Sequence, residues 1–154
     1  MSAEFGMRNA ESGERLENLL CFALEEETHG IHWKVWRARS KILLTGIGRR
    51  NAEGSVRKFL DHHAAQRVLT CGFAGGLNPD LRPETVVFEA DADFPLRQAL
   101  LDSGAVAARF HCAERVAVTA SEKTALRAQT GADAVEMESD IIRRLCRERG
   151  IPCA

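Results

Sequence analysis

Four short segments of the 154-residue chain combine residue types that suit chemistry on a small molecule. Two of these segments are acidic: Glu25–Glu27 follows an apolar run, while Glu136 and Glu138 flank Met137. Carboxylates near a reacting centre act as general bases, hold hydroxyl groups or stabilise positive charge. Spacing alone favours the alternative that the triplet is a solvated acidic turn at a helix N-terminus. The second pair follows apolar Ala134-Val135 and is expected to be partly buried, with Glu136 alternatively a helix cap.

Glycine-rich turns form the other two segments. The first, with Gly46 and Gly48, lies between a predicted strand and a predicted helix. Its glycines allow the backbone to approach a bound anion or, alternatively, only allow the turn to pack tightly. It is not a dinucleotide-binding fingerprint, because Asn51 stands where that motif needs a third glycine. The second turn, 72–77, places Phe73 beside open backbone, which suits a flat heterocycle or, alternatively, a tight turn with a core phenylalanine.

Apolar runs that alternate with helical patterns predict a three-layer α/β fold with a mostly parallel sheet flanked by helices. In such folds, ligands bind where strands end, as these turns do. Residues 1–17 show no hydrophobic period and are predicted to be a disordered tail before a domain at 18–154. Strands are predicted at 19–23, 33–36, 41–44, 67–71, 85–90, 113–119, 134–135 and from 151, and helices at 51–63, 95–101, 121–130 (with Ser121 as N-cap) and 139–149.

The composition is that of a globular protein, with 45% hydrophobic and 28% charged residues and a formal net charge of -1. This balance gives no reason to expect nucleic acid or a membrane as a partner. Neither a signal peptide nor a membrane span is recognisable, so the cytoplasm is the expected compartment. The five cysteines show no metal-ligand spacing and are expected to be mostly buried, reduced thiols; no metal site is expected.

In this order, the four segments resemble those of the purine nucleoside phosphorylase/nucleosidase superfamily, most of all the 5′-methylthioadenosine/S-adenosylhomocysteine nucleosidases. The resemblance covers about residues 19–154 and depends on the segments 23–27, 45–48, 72–77 and 135–138. It implies a large mixed sheet surrounded by helices, cleavage of the N-glycosidic bond of a purine nucleoside, and a homodimer or larger homo-oligomer. The partner would be a small-molecule nucleoside.

The resemblance also implies roles for individual residues. Glu138 would hold the ribose 2′- and 3′-hydroxyls, and Glu27 would activate the attacking water. The implied contacts with the base and the sugar come from Phe73, Ala74, Gly75, Glu136 and Met137. The turn with Gly46, Gly48 and Arg49 would contact phosphate or sugar.

Hydrolysis is favoured over phosphorolysis. Phosphorylases of this superfamily carry an arginine three positions before the residue that matches Phe73, and this chain has Thr70 there. Without that arginine, a phosphate dianion loses its bidentate partner unless Arg49 or Arg50 replaces it. No cofactor is expected, and phosphate would be a co-substrate only in a phosphorylase.

The sequence departs from the superfamily at its end. The general acid there is an aspartate on the strand that begins here at Ile151, and the chain ends at Ala154. A missing C-terminal strand and helix, and an exposed apolar edge beside Ala134–Glu136, are therefore expected. The alternatives are a catalytically inactive nucleoside-binding or scaffold domain, a phosphorylase-like enzyme acting on a nucleoside-bearing lipid precursor such as adenosylhopane, and an α/β domain whose turns serve only packing.

Overall fold

A computed structural model describes residues 16–29 and 39–154. The predicted strand at 33–36 lies outside the described residues, as does the predicted tail up to residue 15. The first strand begins at Leu16, inside the range that the sequence assigns to that tail. From there strands alternate with helices, which confirms the predicted α/β class.

A parallel sheet forms the centre of the fold. It contains β1 (Leu16–Phe22), β2 (Ser40–Leu44) and β3 (Ala65–Thr70) in the order β2-β1-β3. Helix α1 (Arg49–His62) connects β2 to β3. Because the strands all run in the same direction, their carboxyl ends lie at one edge of the sheet, and so do the segments that follow them.

Smaller sheets and shorter helices complete the fold. In one sheet, β8 (Ala134–Glu136) lies between antiparallel β4 (Gly75–Gly76) and parallel β7 (Phe110–Cys112), and in another, β5 (Val87–Phe88) pairs in parallel with β6 (Val106–Ala107). Within 16–29 and 39–154, no helix is long and apolar enough to cross a bilayer. The other α-helices are α2 (Arg97–Asp102), α3 (Ala120–Thr130) and α4 (Ser139–Glu148).

The main hydrophobic core lies between the central sheet and the helices α1 and α4. Val56 of α1 and Ile141 and Leu145 of α4 are fully buried in the same cluster as Leu19 and Val68 of the sheet. Burying one such side chain stabilises the fold by roughly 1.5–3 kcal/mol relative to leaving it exposed. This core therefore fixes the start of α4 relative to the ends of β1 and β3.

The end of the chain runs beside β3. Cys153 forms a parallel bridge with Val68, whose N–H donates to the Pro152 carbonyl at 3.0 Å. The Thr70 N–H donates to the Ala154 carbonyl at 2.7 Å. Residues 152–154 thus pair with β3 near the position where a strand is expected from residue 151, although the pairing is a single bridge.

The prediction of an exposed apolar edge beside β8 is wrong. Ala134 and Val135 are buried, and their backbones pair with β4 on one side and with β7 on the other. The expectation failed because it placed the final strand next to β8, whereas residues 152–154 lie next to β3.

The predicted strand at 113–119 is also wrong, since β7 ends at Cys112. Its alternating valines fit a strand pattern, but Val116 and Val118 are exposed. Ser121 is not the N-cap of the following helix. Thr119 takes that place, because its Oγ1 accepts the N–H of Glu122 at 3.2 Å while the Glu122 carboxylate accepts the Thr119 N–H at 3.0 Å.

The cysteines are free thiols, as expected. Cys21, Cys146 and Cys153 are buried in the main core, and Cys71 and Cys112 are half-buried. Burial raises the pKa of the Cys21 thiol far above its usual range. These thiols therefore pack as small hydrophobic side chains.

Candidate active site

A cavity of about 520 Å³ lies at the carboxyl edge of the central sheet. Its walls come from the segment after β1, the segment after β3, the junction between β8 and α4, and the region around β5. All four segments singled out in the sequence meet there, the turn after β2 through Thr45. The predicted site residues that line the cavity are Glu27, Phe73, Ala74, Glu136 and Glu138.

Of the acidic triplet, only Glu27 lines the cavity. The triplet opens a short 3-10 turn, Glu25–Thr28, on which Glu25 and Glu26 are exposed. Glu27 is half-buried and faces the cavity. The first two carboxylates therefore fit the solvated-turn alternative, whereas the third lines the cavity.

Backbone N–H groups hold the Glu27 carboxylate. Its Oε2 accepts the N–H of Ala23 at 2.9 Å and of Leu24 at 3.1 Å, and its Oε1 accepts the N–H of Phe73 at 3.2 Å. An ionised carboxylate has about four acceptor positions. Oε1 therefore keeps an acceptor position for a water or a ligand in the cavity.

Gly72 makes room for that carboxylate. A Cβ at Gly72 would lie 2.7 Å from Glu27 Oε1, closer than van der Waals contact allows. The glycine-rich turn after β3 thus has a steric reason to lack a side chain at this position. The absence of a side chain at Gly72 allows the Phe73 N–H to bind the Glu27 carboxylate.

Glu138 is held at the N-terminus of α1. The backbone N–H of Gly48, the N-cap residue, donates to Glu138 Oε1 at 2.6 Å, and the positive end of the helix dipole favours a carboxylate there. Burial nevertheless raises the pKa of Glu138, with the Gly48 hydrogen bond opposing the rise and the charge of Glu136 adding to it. The carboxylate is thus fixed at one oxygen, in a half-buried position on the cavity wall.

Glu136 caps α4. Its Oε2 accepts the N–H groups of Glu138 at 2.7 Å and Ser139 at 2.6 Å, and its Oε1 accepts the Ser139 hydroxyl at 2.7 Å. The helix-cap interpretation of Glu136 therefore holds, although the side chain also lines the cavity. The bonds of Glu136 orient the backbone that carries Glu138.

The turn after β2 reaches the cavity through Thr45 and contacts Glu138 through Gly48. Gly46, Gly48 and Arg49 are not among the residues that line the cavity. The Arg49 guanidinium pairs with Asp140 of α4 at 2.8 Å, and a Cβ at Gly46 would lie 3.2 Å from Asn51 Cβ. Local packing and the contact between α1 and α4 therefore account for Gly46 and Arg49. The Gly48 N–H is what connects the turn to Glu138.

Phe73 and Ala74 lie at the opening of the cavity. The Phe73 side chain is 82% exposed, which is unusual for a phenylalanine and leaves its ring face open to a ligand. Gly75 and Met137 do not line the cavity. Gly75 pairs with Val135 in the β4–β8 ladder, and Met137 is half-buried between the two glutamates.

Sequence reasoning missed the wall around β5. Residues 84–89, with Leu100 and Phe110, line the side formed by the small β5–β6 sheet. Arg143 of α4 lies beside them and pairs with Glu89 at 2.7 Å. No spacing rule connects these residues, because the contact between Glu89 and Arg143 joins two distant parts of the chain.

The charged side chains that line the cavity are mostly carboxylates. Arg143 is the one cationic side chain among the described residues that line it, and it is paired with both Glu89 and Asp91. Burial, together with the negative charge of Glu27, raises the pKa of the Cys71 thiol in the wall to about 12. The lining carboxylates are Glu27, Glu84, Glu89, Glu136 and Glu138.

Comparisons with known proteins identify the fold. No protein-family model and no curated protein sequence matches the chain. Solved structures do match. A futalosine hydrolase mutant from Helicobacter pylori superposes with a TM-score of 0.73 at 16% identity, covering 90% of this chain and 82% of that one.

Two nucleosidase structures match in the same way. The 5′-methylthioadenosine/S-adenosylhomocysteine nucleosidase of Campylobacter jejuni gives a TM-score of 0.72 at 16% identity, covering 90% of this chain and 82% of that one. A mutant of the Helicobacter pylori enzyme, with 5′-methylthioadenosine in its active site, gives 0.74 at 16% identity, with the same coverage of 90% and 82%. This chain therefore has the α/β fold of these nucleosidase structures, which is the fold that the resemblance of the sequence motifs implies.

Proposed function

We propose that this protein hydrolyses the N-glycosidic bond of a purine nucleoside. The observation that carries the proposal is that Glu27 and Glu138, which are 111 residues apart in the sequence, line the same cavity in a fold shared with nucleosidases. Departure of the base leaves an oxocarbenium-like sugar, which carboxylates stabilise. The roles below follow from the geometry of these two side chains.

Glu138 is the residue that would bind the ribose. Its Oε1 is bound to the Gly48 N–H, so Oε2 is the oxygen that can accept hydrogen bonds from vicinal hydroxyls. Two hydroxyl donors would also offset the cost of burying this carboxylate. The sugar would then lie between Glu138 and Glu27.

Glu27 would orient and deprotonate the attacking water. Backbone N–H groups fix its carboxylate, and Oε1 retains an acceptor position on the cavity side. A general base of this kind contributes typically about 10²–10⁴-fold to a rate. Phe73, with its exposed ring, would stack on the base, and Ala74 would contact the base or the sugar.

The charge of the cavity favours water over phosphate as the nucleophile. A phosphate dianion would meet five glutamates and one arginine that two carboxylates already neutralise. Arg49, the candidate replacement for a phosphate-binding arginine, is paired with Asp140. Hydrolysis therefore needs no rearrangement of these ion pairs, whereas phosphorolysis does.

A second candidate follows from the apolar part of the lining. Val87, Phe88 and Leu100 line the β5 side of the cavity, so a nucleoside with a large apolar substituent has a surface to bind there. A nucleoside-bearing lipid precursor such as adenosylhopane belongs to this class. Cytoplasmic location and a homodimer remain predictions from the sequence.

The decisive experiment is chromatography of free base released by this chain from adenosine, inosine, 5′-methylthioadenosine and S-adenosylhomocysteine, with and without phosphate. We expect release that does not depend on phosphate. Glu27→Gln should abolish most of it, while Glu26→Gln, at the exposed neighbouring position, should leave it unchanged. Release only with phosphate would support a phosphorylase, and binding of a nucleoside without release would support the inactive binding domain.

A further inference from the structure

The β5 wall of the cavity is attached to the rest of the fold by few backbone bonds. β5 pairs with β6 through Val87 and Phe88, and among the described residues neither strand pairs with the two larger sheets. Residues 84–89 nevertheless form one side of the cavity that Glu27 and Glu138 line. The position of this wall therefore depends strongly on side-chain contacts.

Glu89 makes two of these contacts. Its Oε2 accepts the N–H of Phe110, at the start of β7, at 2.6 Å. Its Oε1 lies 2.7 Å from Nη1 of Arg143, and Nη2 of Arg143 lies 3.1 Å from Asp91 Oδ1. One guanidinium thus binds two carboxylates that lie on the same segment, just after β5.

Arg143 belongs to the helix that begins next to Glu138. Its neighbour Ile142 is 1% exposed and anchors α4 in the main core, while the Arg143 side chain is 17% exposed. Burial alone would lower the pKa of Arg143, but the hydrogen bond and charge of Glu89 raise it, so the guanidinium stays charged. The ion pairs therefore connect the β5 wall to the same rigid helix that positions Glu138.

We propose that Arg143 is a positioning residue that holds the wall 84–89 at a fixed distance from Glu27 and Glu138 and so sets the shape of the nucleoside-binding cavity. This inference rests on the proposed function for its effect on catalysis. Arg143 acts through Glu89 and Asp91, because both ends of its guanidinium are engaged by them. Its planar fork suits this double contact better than the single ammonium of a lysine.

Kinetics of variants test the effect on the site. The wall contacts a nucleoside before and during bond cleavage alike, so its displacement removes binding that ground state and transition state share. Arg143→Met should raise KM about tenfold or more while kcat changes by less than about threefold. Arg143→Lys should restore part of the lost affinity, because an ammonium can still pair with Glu89.

The matched control is Arg144→Met, on the same helix. Arg144 is 52% exposed and pairs with Glu53 at 3.6 Å and with Glu148 at 4.0 Å, and it does not line the cavity. This variant should keep the KM of the wild-type protein. Equal KM values for Arg143→Met and the wild-type protein would overturn the inference, and so would a loss confined to kcat.

Hydrogen exchange tests the attachment of the wall without any activity. The N–H groups of Val106 and Ala108 donate to the carbonyls of Val86 and Phe88, each at 2.9 Å. Arg143→Met should speed exchange at 84–91 and 106–110 about tenfold, and Arg144→Met should not. Unchanged exchange in Arg143→Met would overturn the proposed role of Arg143, whether or not the protein cleaves a nucleoside. A wild-type protein that releases no base would contradict only the proposed hydrolysis.

Discussion

The backbone N–H of Gly48 and the carboxylate of Glu138 form a 2.6 Å hydrogen bond across 90 positions of sequence. It joins the N-terminus of α1 to the junction between β8 and α4. Two segments that the sequence presents as separate candidates, a glycine turn and a pair of glutamates, therefore act as one unit. The turn supplies a donor, and the glutamate presents its other oxygen to the cavity.

The raised pKa of Glu138 leads to a prediction about stability and pH. Burial is the main cause of the rise, and the folded-state pKa exceeds the ordinary value of 4.5. The folded protein therefore holds this proton more tightly than the unfolded chain, so the group stabilises the fold at low pH. That contribution is lost as the pH rises from about 4.5 through the folded-state pKa.

Glu138→Gln removes this titration and keeps an oxygen that can accept the Gly48 N–H. The Tm of the variant relative to the wild-type protein should therefore rise between about pH 4 and pH 8. Thermal unfolding across this range measures it, with Glu26→Gln, at an exposed position, as the control. A Tm difference that is constant with pH would contradict the assignment.

Gly72→Ala should displace the carboxylate of Glu27, the general base of the proposed reaction. The added Cβ would lie 2.7 Å from Glu27 Oε1, and the side chain of Glu27 moves more easily than the backbone. We expect kcat for base release to fall about 10–100-fold, because a shift of about 1 Å in a catalytic group has an effect of this size. Circular dichroism should show an unchanged fold.

Gly76→Ala is the control for this substitution. Gly76 lies in the same glycine-rich turn, and a Cβ there would meet nothing within 4 Å. Its base release should match that of the wild-type protein. Full activity in Gly72→Ala would show that Glu27 does not need its present position.

The sequence was sufficient to predict which segments meet around the cavity, because local patterns determine where strands end and helices begin. Each of the four segments ends a strand or begins a helix, and parallel strands bring such ends to one edge. Spacing alone was not sufficient to separate Glu27 from Glu25 and Glu26, and only the superfamily resemblance singled it out, since the difference depends on a bond to Phe73 in the turn after β3. The wall around β5 was missed for the same reason, because Arg143 and Glu89 are paired only in the folded chain.

The prediction of a strand at 113–119 was wrong for a different reason. Alternating valines satisfy a period of two, but the pattern says nothing about which backbone groups are available for pairing. The capping box of Thr119 and Glu122 begins α3 instead, and β8 already pairs with β7 and β4. Tertiary pairing thus overrode a local preference.

Phe73→Ala should weaken nucleoside binding without destabilising the fold. The Phe73 side chain is 82% exposed, so its removal costs little core packing. Stacking of a base on an aromatic ring contributes about 1–3 kcal/mol, which corresponds to at least a fivefold loss of affinity. Isothermal titration calorimetry with the nucleoside that is cleaved best measures the loss.

Val118→Ala is a matched control, because Val118 is 77% exposed and does not line the cavity. Both variants should have the Tm of the wild-type protein, and only Phe73→Ala should bind more weakly. Equal affinity of the two variants for the nucleoside would show that Phe73 does not stack on the base.

Glu136→Ala should lower the free energy of unfolding by about 1 kcal/mol, the usual effect of removing a helix cap. Its carboxylate accepts two backbone N–H groups and the Ser139 hydroxyl at the start of α4. Urea denaturation measures the change, with Glu148→Ala at the other end of α4 as the control. Glu148 faces Arg144 at 4.0 Å with both side chains about half exposed, so its loss should change stability by less than about 0.5 kcal/mol. Equal free energies of unfolding for the two variants would mean that the Glu136 cap does not stabilise α4.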